Sequence, residues 1–190
     1  MGAIRVHEFT TVDGVVDVPM WTMDYGFPDD LASSIGALTD ASDGILLGRT
    51  TYQMFAPAWS TRTVEDDPGA PFFNDTRKYV VSGSLTDAEA DWNNSEVLGS
   101  YDADRIRRLK DDVAGGLYVS GSATLVRALL ADGLVDELHL YVYPIAVGEG
   151  IRLFRDGDPK TPLALARCEA LSNGVAHLVY TPPQERAGES

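Results

Sequence analysis

Three segments of the chain share one design, in which an apolar run ends in glycine together with serine or threonine. They are "LLGRTT" (46–51), "VVSGSL" (80–85) and "YVSGSAT" (118–124). Strands that leave a sheet through such turns, with helices between them, are the repeating units of a largely parallel sheet. The carboxyl ends of parallel strands meet at one edge, where open α/β sheets bind their ligands. The pattern therefore predicts an α/β domain whose function lies at that edge.

The remaining segments supply the other elements of such a sheet. Apolar residues at four- and three-residue steps predict a helix over 29–41. "TTYQMFAPAW" predicts a short helix that stops near Pro57, and the polar segment 60–76 predicts an exposed loop. "VDELHLYVYPIAVG" is apolar on both faces, which is typical of a central strand, and Asn173-Gly174 predicts a final hairpin. These elements predict a mixed sheet with helices on both faces.

Composition limits the partners of the chain. Its 190 residues, 44% of them hydrophobic, support a single domain, expected over 1–182, with a flexible polar tail at 183–190. A net charge of −14 disfavours nucleic acid and anionic membranes as partners. A lone cysteine, with no signal peptide and no long apolar run, predicts a cytoplasmic protein. The strand histidines His7, His139 and His177 form no metal-binding motif, so no metal is expected.

Each of the three junctions carries groups that suit an anion. Glycine lets a phosphate approach the backbone, and free N–H groups at a helix start can donate to it. Arg49 adds a cation beside one helix start. Taken singly, each junction is better explained by helix capping and turn formation. The three together predict a dinucleotide across the sheet edge, although neither G-x-G-x-x-G nor G-x-x-x-x-G-K-[ST] occurs.

These segments also carry a family resemblance. In order they are "TTVDGVVD", "GILLGRTTYQMF", "KYVVSGSL" and "GGLYVSGSATLVRALLADGLVDELHLYVYPIAVGEGIRLF". They resemble the dihydrofolate-reductase-like superfamily, most closely the reductase domain of the bifunctional riboflavin-biosynthesis deaminase-reductase, over about Ile4 to Pro182. The resemblance implies a three-layer α/β/α sandwich with a mixed, mostly parallel sheet and a C-terminal antiparallel hairpin. It also implies NADPH as cofactor and a homodimer, which the apolar strand at 138–142 and its neighbouring hairpin would suit.

The resemblance further implies which residues form the site. Those implied to bind NADPH lie at the three junctions and after the first strand: Gly14, Gly48, Arg49, Thr50, Thr51, Ser82, Gly83, Ser84, Gly121, Ser122, Ala123 and Thr124. Those implied to border the substrate are Pro144, Gly148 and Gly150; Trp21, between the first strand and the first helix, could either wall the same pocket or serve in packing. Asp13 and Asp30 are the implied catalytic candidates.

The chain departs from the related enzymes at several positions. Asp30 stands where dihydrofolate reductases keep a buried carboxylate, but it also follows Pro28 at a predicted helix start, where capping explains it. Ser34 replaces an aromatic residue of those enzymes. The zinc signature of the fused deaminase is absent. Arg152 and Arg155 are the basic residues that could bind a ribose phosphate.

The expected function is hydride transfer from NADPH to a C=O or C=N carbon of a small pterin-, pyrimidine- or ribityl-like substrate. The closest activity is that of 5-amino-6-(5-phosphoribosylamino)uracil reductase. Two alternatives stay open at this point, a true dihydrofolate reductase and a nucleotide-binding module without catalysis.

Overall fold

The computed structural model describes residues 2–17 and 19–183, which form eight strands and five α-helices. In chain order the elements are β1 (Ile4–Thr11), a short 3₁₀ helix (Met20–Tyr25), α1 (Asp29–Asp40), β2 (Gly44–Gly48), α2 (Arg49–Trp59), α3 (Ala70–Asp75), β3 (Arg77–Val81), β4 (Ser95–Gly99), α4 (Ala103–Asp112), β5 (Leu117–Val119), α5 (Ala123–Ala131), β6 (Glu137–Tyr143), β7 (Ala164–Ala170) and β8 (Ala176–Thr181). Apart from Pro183, the tail predicted for 183–190 lies outside the described residues.

All eight strands belong to one sheet, in the order β4-β3-β2-β5-β1-β6-β8-β7. The six strands from β4 to β6 are parallel, and β8 runs antiparallel to both of its neighbours. Leu171 and Val175 close the turn between β7 and β8 through a hydrogen bond of 2.8 Å around the predicted Asn173-Gly174 pair. The mixed, mostly parallel sheet and its C-terminal antiparallel hairpin are confirmed.

Helices cover both faces of the sheet because successive strand residues alternate between the faces. In β2, Leu46 packs into the core under α4 and α5, whereas Ile45 and Leu47 pack into a second core with α1, α2 and α3. A third cluster, built around Tyr141 and Tyr143 of β6, lies under α1 and the 3₁₀ helix. The three-layer α/β/α sandwich is therefore confirmed, with the central strands buried on both faces.

The helix expected to stop near Pro57 continues through it to Trp59. A proline removes its own N–H donor but not the donors that follow it. The N–H of Ser60 still bonds the carbonyl of Ala56 at 3.0 Å, so the last turn forms. The helix therefore ends two residues beyond Pro57, near the predicted position, because the proline lies in its last turn.

The segment 60–76, expected to be an exposed loop, contains α3. Pro71 lies in the first turn of this helix, where a proline costs no hydrogen bond. Phe73 is buried and stacks on Trp59 with ring centroids 4.1 Å apart. The tertiary contact between these two rings fixes a helix that the polar composition of the segment does not predict.

The three strand histidines lie in the core on the face under α1. His7 bonds the hydroxyl of Tyr118 through Nδ1 at 2.6 Å, and His139 Nδ1 lies 3.0 Å from His177 Nε2. Burial lowers the pKa of all three below the ordinary value, that of His7 to about 3. They are therefore neutral at physiological pH. Among the described residues, no helix has the length and apolar character needed to span a membrane.

Candidate active site

The three junctions lie side by side, since they follow the neighbouring strands β3, β2 and β5. Gly48, at the end of β2, donates its N–H toward the carbonyl of Gly121 at 3.5 Å. A Cβ atom on Gly48 would overlap Ser122 Oγ, so the two turns approach more closely than a side chain allows. The edge predicted from the sequence is thus formed by direct contact between the first and third junctions.

Further contacts extend this edge in both directions. Gly121 has a φ of 76°, and a Cβ atom there would lie 2.9 Å from Thr51 Oγ1. Arg49 Nη1 donates to Ser84 Oγ at 2.6 Å and so connects the first junction to the second. The structure therefore brings together the predicted cofactor residues of all three junctions, with the exposed guanidinium of Arg49 lying between two of them.

Ser82 has a structural task within the second junction. Its Oγ accepts the N–H groups of Ser84 at 3.2 Å and Leu85 at 2.9 Å, which closes the turn after β3. Ser82 and Gly83 also line an open depression that continues the edge beyond Arg49. The hydroxyl of Ser82 is thus already hydrogen-bonded within the turn, as that of Ser84 is to Arg49.

The helices α2 and α5 begin at this edge with positive ends that the protein leaves uncompensated. Their N-caps are Gly48 and Ser122, neither of which makes a side-chain capping bond, and neither helix has an acidic residue in its first turn. By contrast, Asp102 caps α4 by accepting the N–H of Arg105 at 3.0 Å. First-turn N–H groups without an acceptor, at the positive end of a helix, suit the phosphates of a ligand.

Between these two helix starts lies a cleft of about 650 Å³. It crosses the carboxyl ends of the strands and is bordered on its far side by the segment 150–156. Its apolar wall includes Phe9, Met54, Phe55 and Phe154. This volume and the aromatic lining suit a flat ring system.

The charged residues that line the cleft are Glu8, Asp17, Arg127, Arg152, Arg155 and Asp156. Glu8 is only 6% exposed, and burial raises its pKa to about 8, against a smaller opposing effect of Arg127. Glu8 is therefore mostly protonated at neutral pH, and the remaining five charges sum to one positive charge. The charged lining residues alone therefore carry one net positive charge, in a chain whose net charge is −14.

The arginines at the cleft are already held by protein groups. Arg152 donates to the carbonyl of Asp13 at 2.9 Å and lies 3.6 Å from its carboxylate, while Arg155 bonds Asp158 at 3.0 Å. Arg127 donates to the carbonyls of Arg152 at 3.0 Å and Leu153 at 3.4 Å. Carboxylates therefore offset two of the three cations.

Asp13, one of the two implied catalytic candidates, anchors the segment that borders the cleft. Its carboxylate accepts the hydroxyl of Thr11 at 2.6 Å and the N–H groups of Gly148 at 2.8 Å and Val147 at 3.3 Å. The bonds from Thr11 and then Gly148 lower the pKa of Asp13 to about 2. Gly14 lies beside it and accepts the N–H of Leu153 at 3.0 Å. An ionised carboxylate with these partners positions a loop and has no proton to donate at neutral pH.

Asp30 is exposed in the first turn of α1 and is not among the residues that line the cleft. It accepts the N–H of Leu31 at 2.9 Å and both the N–H and hydroxyl of Ser172 at 2.7 and 3.0 Å. The Ser172 N–H bond is the main cause that lowers the pKa of Asp30. These contacts connect α1 to the turn between β7 and β8, a structural role that differs from the helix cap expected from the sequence, since the N-cap of α1 has no side-chain hydrogen bond.

The residues predicted to border the substrate are divided between two places. Gly150 lines the cleft, and Gly148 binds Asp13. Trp21 packs edge-on against Tyr143 with centroids 5.0 Å apart, and Pro144 is exposed and accepts the hydroxyl of Tyr25 at 3.3 Å. Neither Trp21 nor Pro144 lines the cleft, since both lie toward the face that α1 covers.

Comparison with known families identifies this architecture. The family model described as the RibD C-terminal domain matches residues 3–177. The chain belongs to the RibD C-terminal domain family. Membership supports a reductase-like role for the chain. Two Bacillus subtilis proteins are similar to this chain. YyaP is 27% identical over 173 residues, which cover 88% of this chain and 85% of YyaP. YwjB is 27% identical over 139 residues, which cover 70% of this chain and 70% of YwjB.

Solved structures show the same fold. A riboflavin biosynthesis protein from Shewanella sp. PV-4 superposes with a TM-score of 0.74 at 22% identity, covering 97% of this chain and all of that one. A pyrimidine reductase-like protein from Corynebacterium diphtheriae gives 0.66 at 16% identity, covering 97% and 93%. The deaminase/5-amino-6-(5-phosphoribosylamino)uracil reductase from Thermotoga maritima gives 0.63 at 14% identity, covering 96% of this chain and 57% of that one.

Sequence reasoning missed Glu8 and Arg127, which both line the cleft. In "IRVHEFT", Ile4, Val6 and Glu8 share one face of β1, so an acid continues an apolar row. An acidic residue in an otherwise apolar row indicates a functional position once the strand is known to be buried on both faces. The strand order that buries β1 depends on long-range pairing, which local pattern does not reveal.

Proposed function

We propose that the chain is an NADPH-dependent reductase that acts on a small, flat heterocyclic substrate. The observation that carries the proposal is the pair of uncapped helix starts, α2 and α5, that meet at one cleft through Gly48 and Ser122. When bound, NADPH would supply a hydride to a C=O or C=N carbon. Gly121, Ser122 and the first turn of α2 would hold its pyrophosphate, and the wall of the cleft would exclude water from the ring.

Arg49 would supply the cation that the cofactor phosphates need. It is exposed, it lies between the first and second junctions, and its donor contact is the neutral hydroxyl of Ser84. In the arginine–serine pair the positive charge is not cancelled, so a phosphate can replace or add to the serine contact. The depression beside Ser82 and Gly83 would then hold the adenosine-side phosphate that distinguishes NADPH from NADH.

The cleft also bears on the class of substrate. A ribose phosphate would require Arg152 or Arg155 to exchange the carboxylate of Asp13 or Asp158 for the phosphate. We therefore propose a pyrimidine-like ring as the recognised part, since aromatic side chains line the cleft. Aminouracil substrates with and without the 5′-phosphate should be compared as a pair.

Thermal unfolding with NADPH, NADH or no nucleotide tests the cofactor. A ligand at about a hundred times its Kd stabilises the folded state by about 2.7 kcal/mol, which corresponds to a rise in Tm of about 5 to 10 °C for a chain of this size. We expect NADPH to exceed NADH. Arg49→Ala should reduce the NADPH shift by several degrees, whereas Arg108→Ala, which removes an exposed arginine of α4, should not.

Oxidation of NADPH then tests catalysis. The two aminouracils and dihydrofolate are supplied to the wild type, and loss of NADPH absorbance is followed. Turnover of an aminouracil supports the proposal, and preference for dihydrofolate would instead support the dihydrofolate reductase alternative. A rise in Tm without any oxidation would support a binding module, and no rise with either nucleotide would refute the proposal.

A further inference from the structure

One ionisable side chain of the cleft is deeply buried and has, among the described residues, a polar atom without a hydrogen bond. Glu8 lies at the middle of β1, is 6% exposed, and its Oε1 is buried without a hydrogen bond. The carboxyl lies beside the third junction, because a Cβ atom on Gly121 would be 3.7 Å from Glu8 Oε1. A buried carboxyl with an oxygen that accepts no hydrogen bond is less stable as an anion, so its protonated form is favoured.

The surroundings of Glu8 explain why its carboxyl group stays protonated at neutral pH. Burial is the largest influence on its pKa and raises it to about 8, and the guanidinium of Arg127 only partly opposes this. Arg127 approaches from α5, but its donors are directed to the carbonyls of Arg152 and Leu153 and to Thr124 Oγ1. The other charged residues that line the cleft are Asp17, Arg152, Arg155 and Asp156.

The remaining carboxyl groups near the cleft differ from Glu8. Asp13 is ionised through its hydrogen bonds, and Asp17 accepts the N–H of Ile151 at 2.8 Å. Asp156 is exposed at the rim. Among the described residues that line the cleft, Glu8 is thus the one acid that combines deep burial with an unused polar atom.

We propose that Glu8 is the proton donor of this site, which rests on the reductase function proposed above. Addition of a hydride to a C=O or C=N carbon leaves a negative charge on the adjacent oxygen or nitrogen. The O–H bond of Glu8 then breaks, and its proton forms an O–H or N–H bond on that atom. The electron pair stays on the Glu8 carboxylate, which regains a proton from solvent after release of the product. Two hydrogens are thus added to the substrate, one as hydride and one as proton.

The protonation of Glu8 can be tested without a substrate. Full-length wild type and Glu8→Gln are prepared with ¹³C at the side-chain carboxyl of glutamate, and the resonance that is missing in the variant is assigned to Glu8. Its chemical shift is followed against pH, with and without NADP⁺. We expect a midpoint near 8 in the free protein. A midpoint in the ordinary glutamate range, near 4 to 5, would overturn the proposal.

The catalytic role is tested on the substrate that the NADPH oxidation assay selects. Glu8→Gln keeps the size of the side chain but has no acidic proton, and we expect kcat to fall by about 10²- to 10⁴-fold. Glu8→Asp, which is one methylene shorter but retains the acid, should recover part of that loss. Glu65→Gln, the same change on an exposed loop, serves as the control. Wild-type kcat should also fall as the pH rises through 8.

The outcomes separate the two proposals. If the wild type binds and oxidises NADPH and Glu8→Gln keeps more than a tenth of the wild-type kcat, the role of Glu8 is refuted while the reductase proposal stands. If Glu8→Gln loses kcat but retains the full NADPH-dependent rise in Tm, both proposals are supported. A wild type that neither binds nor oxidises NADPH refutes both, because the acid would then have no reaction to serve.

Discussion

The buried acid in the cleft should make the stability of the protein depend on pH in a way that one substitution removes. The pKa of Glu8 rises from an ordinary 4.5 to about 8 on folding, chiefly through burial. The folded state therefore binds the proton more tightly than the unfolded state, and stability declines as pH rises from about 4.5 to about 8. At about 1.4 kcal/mol for each pH unit, the loss reaches about 3 kcal/mol by pH 7.

Glu8→Gln should abolish this loss, because the amide has the same shape and does not ionise. Chemical denaturation of the wild type and Glu8→Gln at pH values from 5 to 8.5 gives both unfolding free energies. We expect the variant to gain about 4 kcal/mol relative to the wild type across this range. The histidines act with the opposite sign, since a lowered pKa in the folded state costs stability as pH falls below 6.5, but their effect is common to both proteins and cancels. A difference that stays constant with pH would show that Glu8 is ionised in the folded protein and would refute the reasoning.

Three further predictions concern other parts of the site and the surface. Gly48→Ala should weaken NADPH binding at least tenfold by titration, because the new methyl group overlaps Ser122, whereas Gly36→Ala, where a methyl group meets nothing within 4 Å, should leave binding unchanged. Asp30→Asn should keep wild-type turnover within about twofold and lower Tm, whereas a large loss of turnover with unchanged Tm would make Asp30 catalytic. The homodimer stays a prediction; since β7 is the exposed outer strand of the hairpin, Leu165→Glu should reduce the mass measured by light scattering to that of a monomer.

The fold could be read from the sequence wherever local pattern and burial agree. The glycine-containing turns after β2 and β5 place two helix starts at one edge because parallel strands leave no other arrangement. The Asn173-Gly174 pair predicts the hairpin because a tight turn there needs a residue with positive φ, and Gly174 has a φ of 85°. The sequence did not predict the α3 helix, because its stability depends on Phe73 packing against Trp59, a contact between separate segments of the chain.

The site was harder to predict than the fold, and the reason is physical. Hydroxyl and glycine residues at strand ends predict a phosphate site because the local geometry of the turn is enough to suggest one. The role of Glu8, however, depends on which strands flank β1 and on what α5 brings against it. Asp13 and Asp30 are equally acidic in the sequence, yet hydrogen bonds lower the pKa of both carboxyls, whereas burial raises that of Glu8. The role of a carboxyl group therefore depends on the groups that surround it in the folded protein.

The acidity of the whole chain gives the neutral state of Glu8 a second consequence. An ionised Glu8 would bring the charged lining of the cleft to three acids against Arg127, Arg152 and Arg155, and the net charge of the lining would be zero. With Glu8 protonated the lining is more positive by one charge than with Glu8 ionised, which favours an anionic cofactor in a protein of net charge −14. The burial that keeps a proton on Glu8 for the substrate therefore also keeps the cleft attractive to phosphate. On this reasoning NADPH should bind more weakly to wild type as pH rises through 8, and Glu8→Gln should bind it equally across that range.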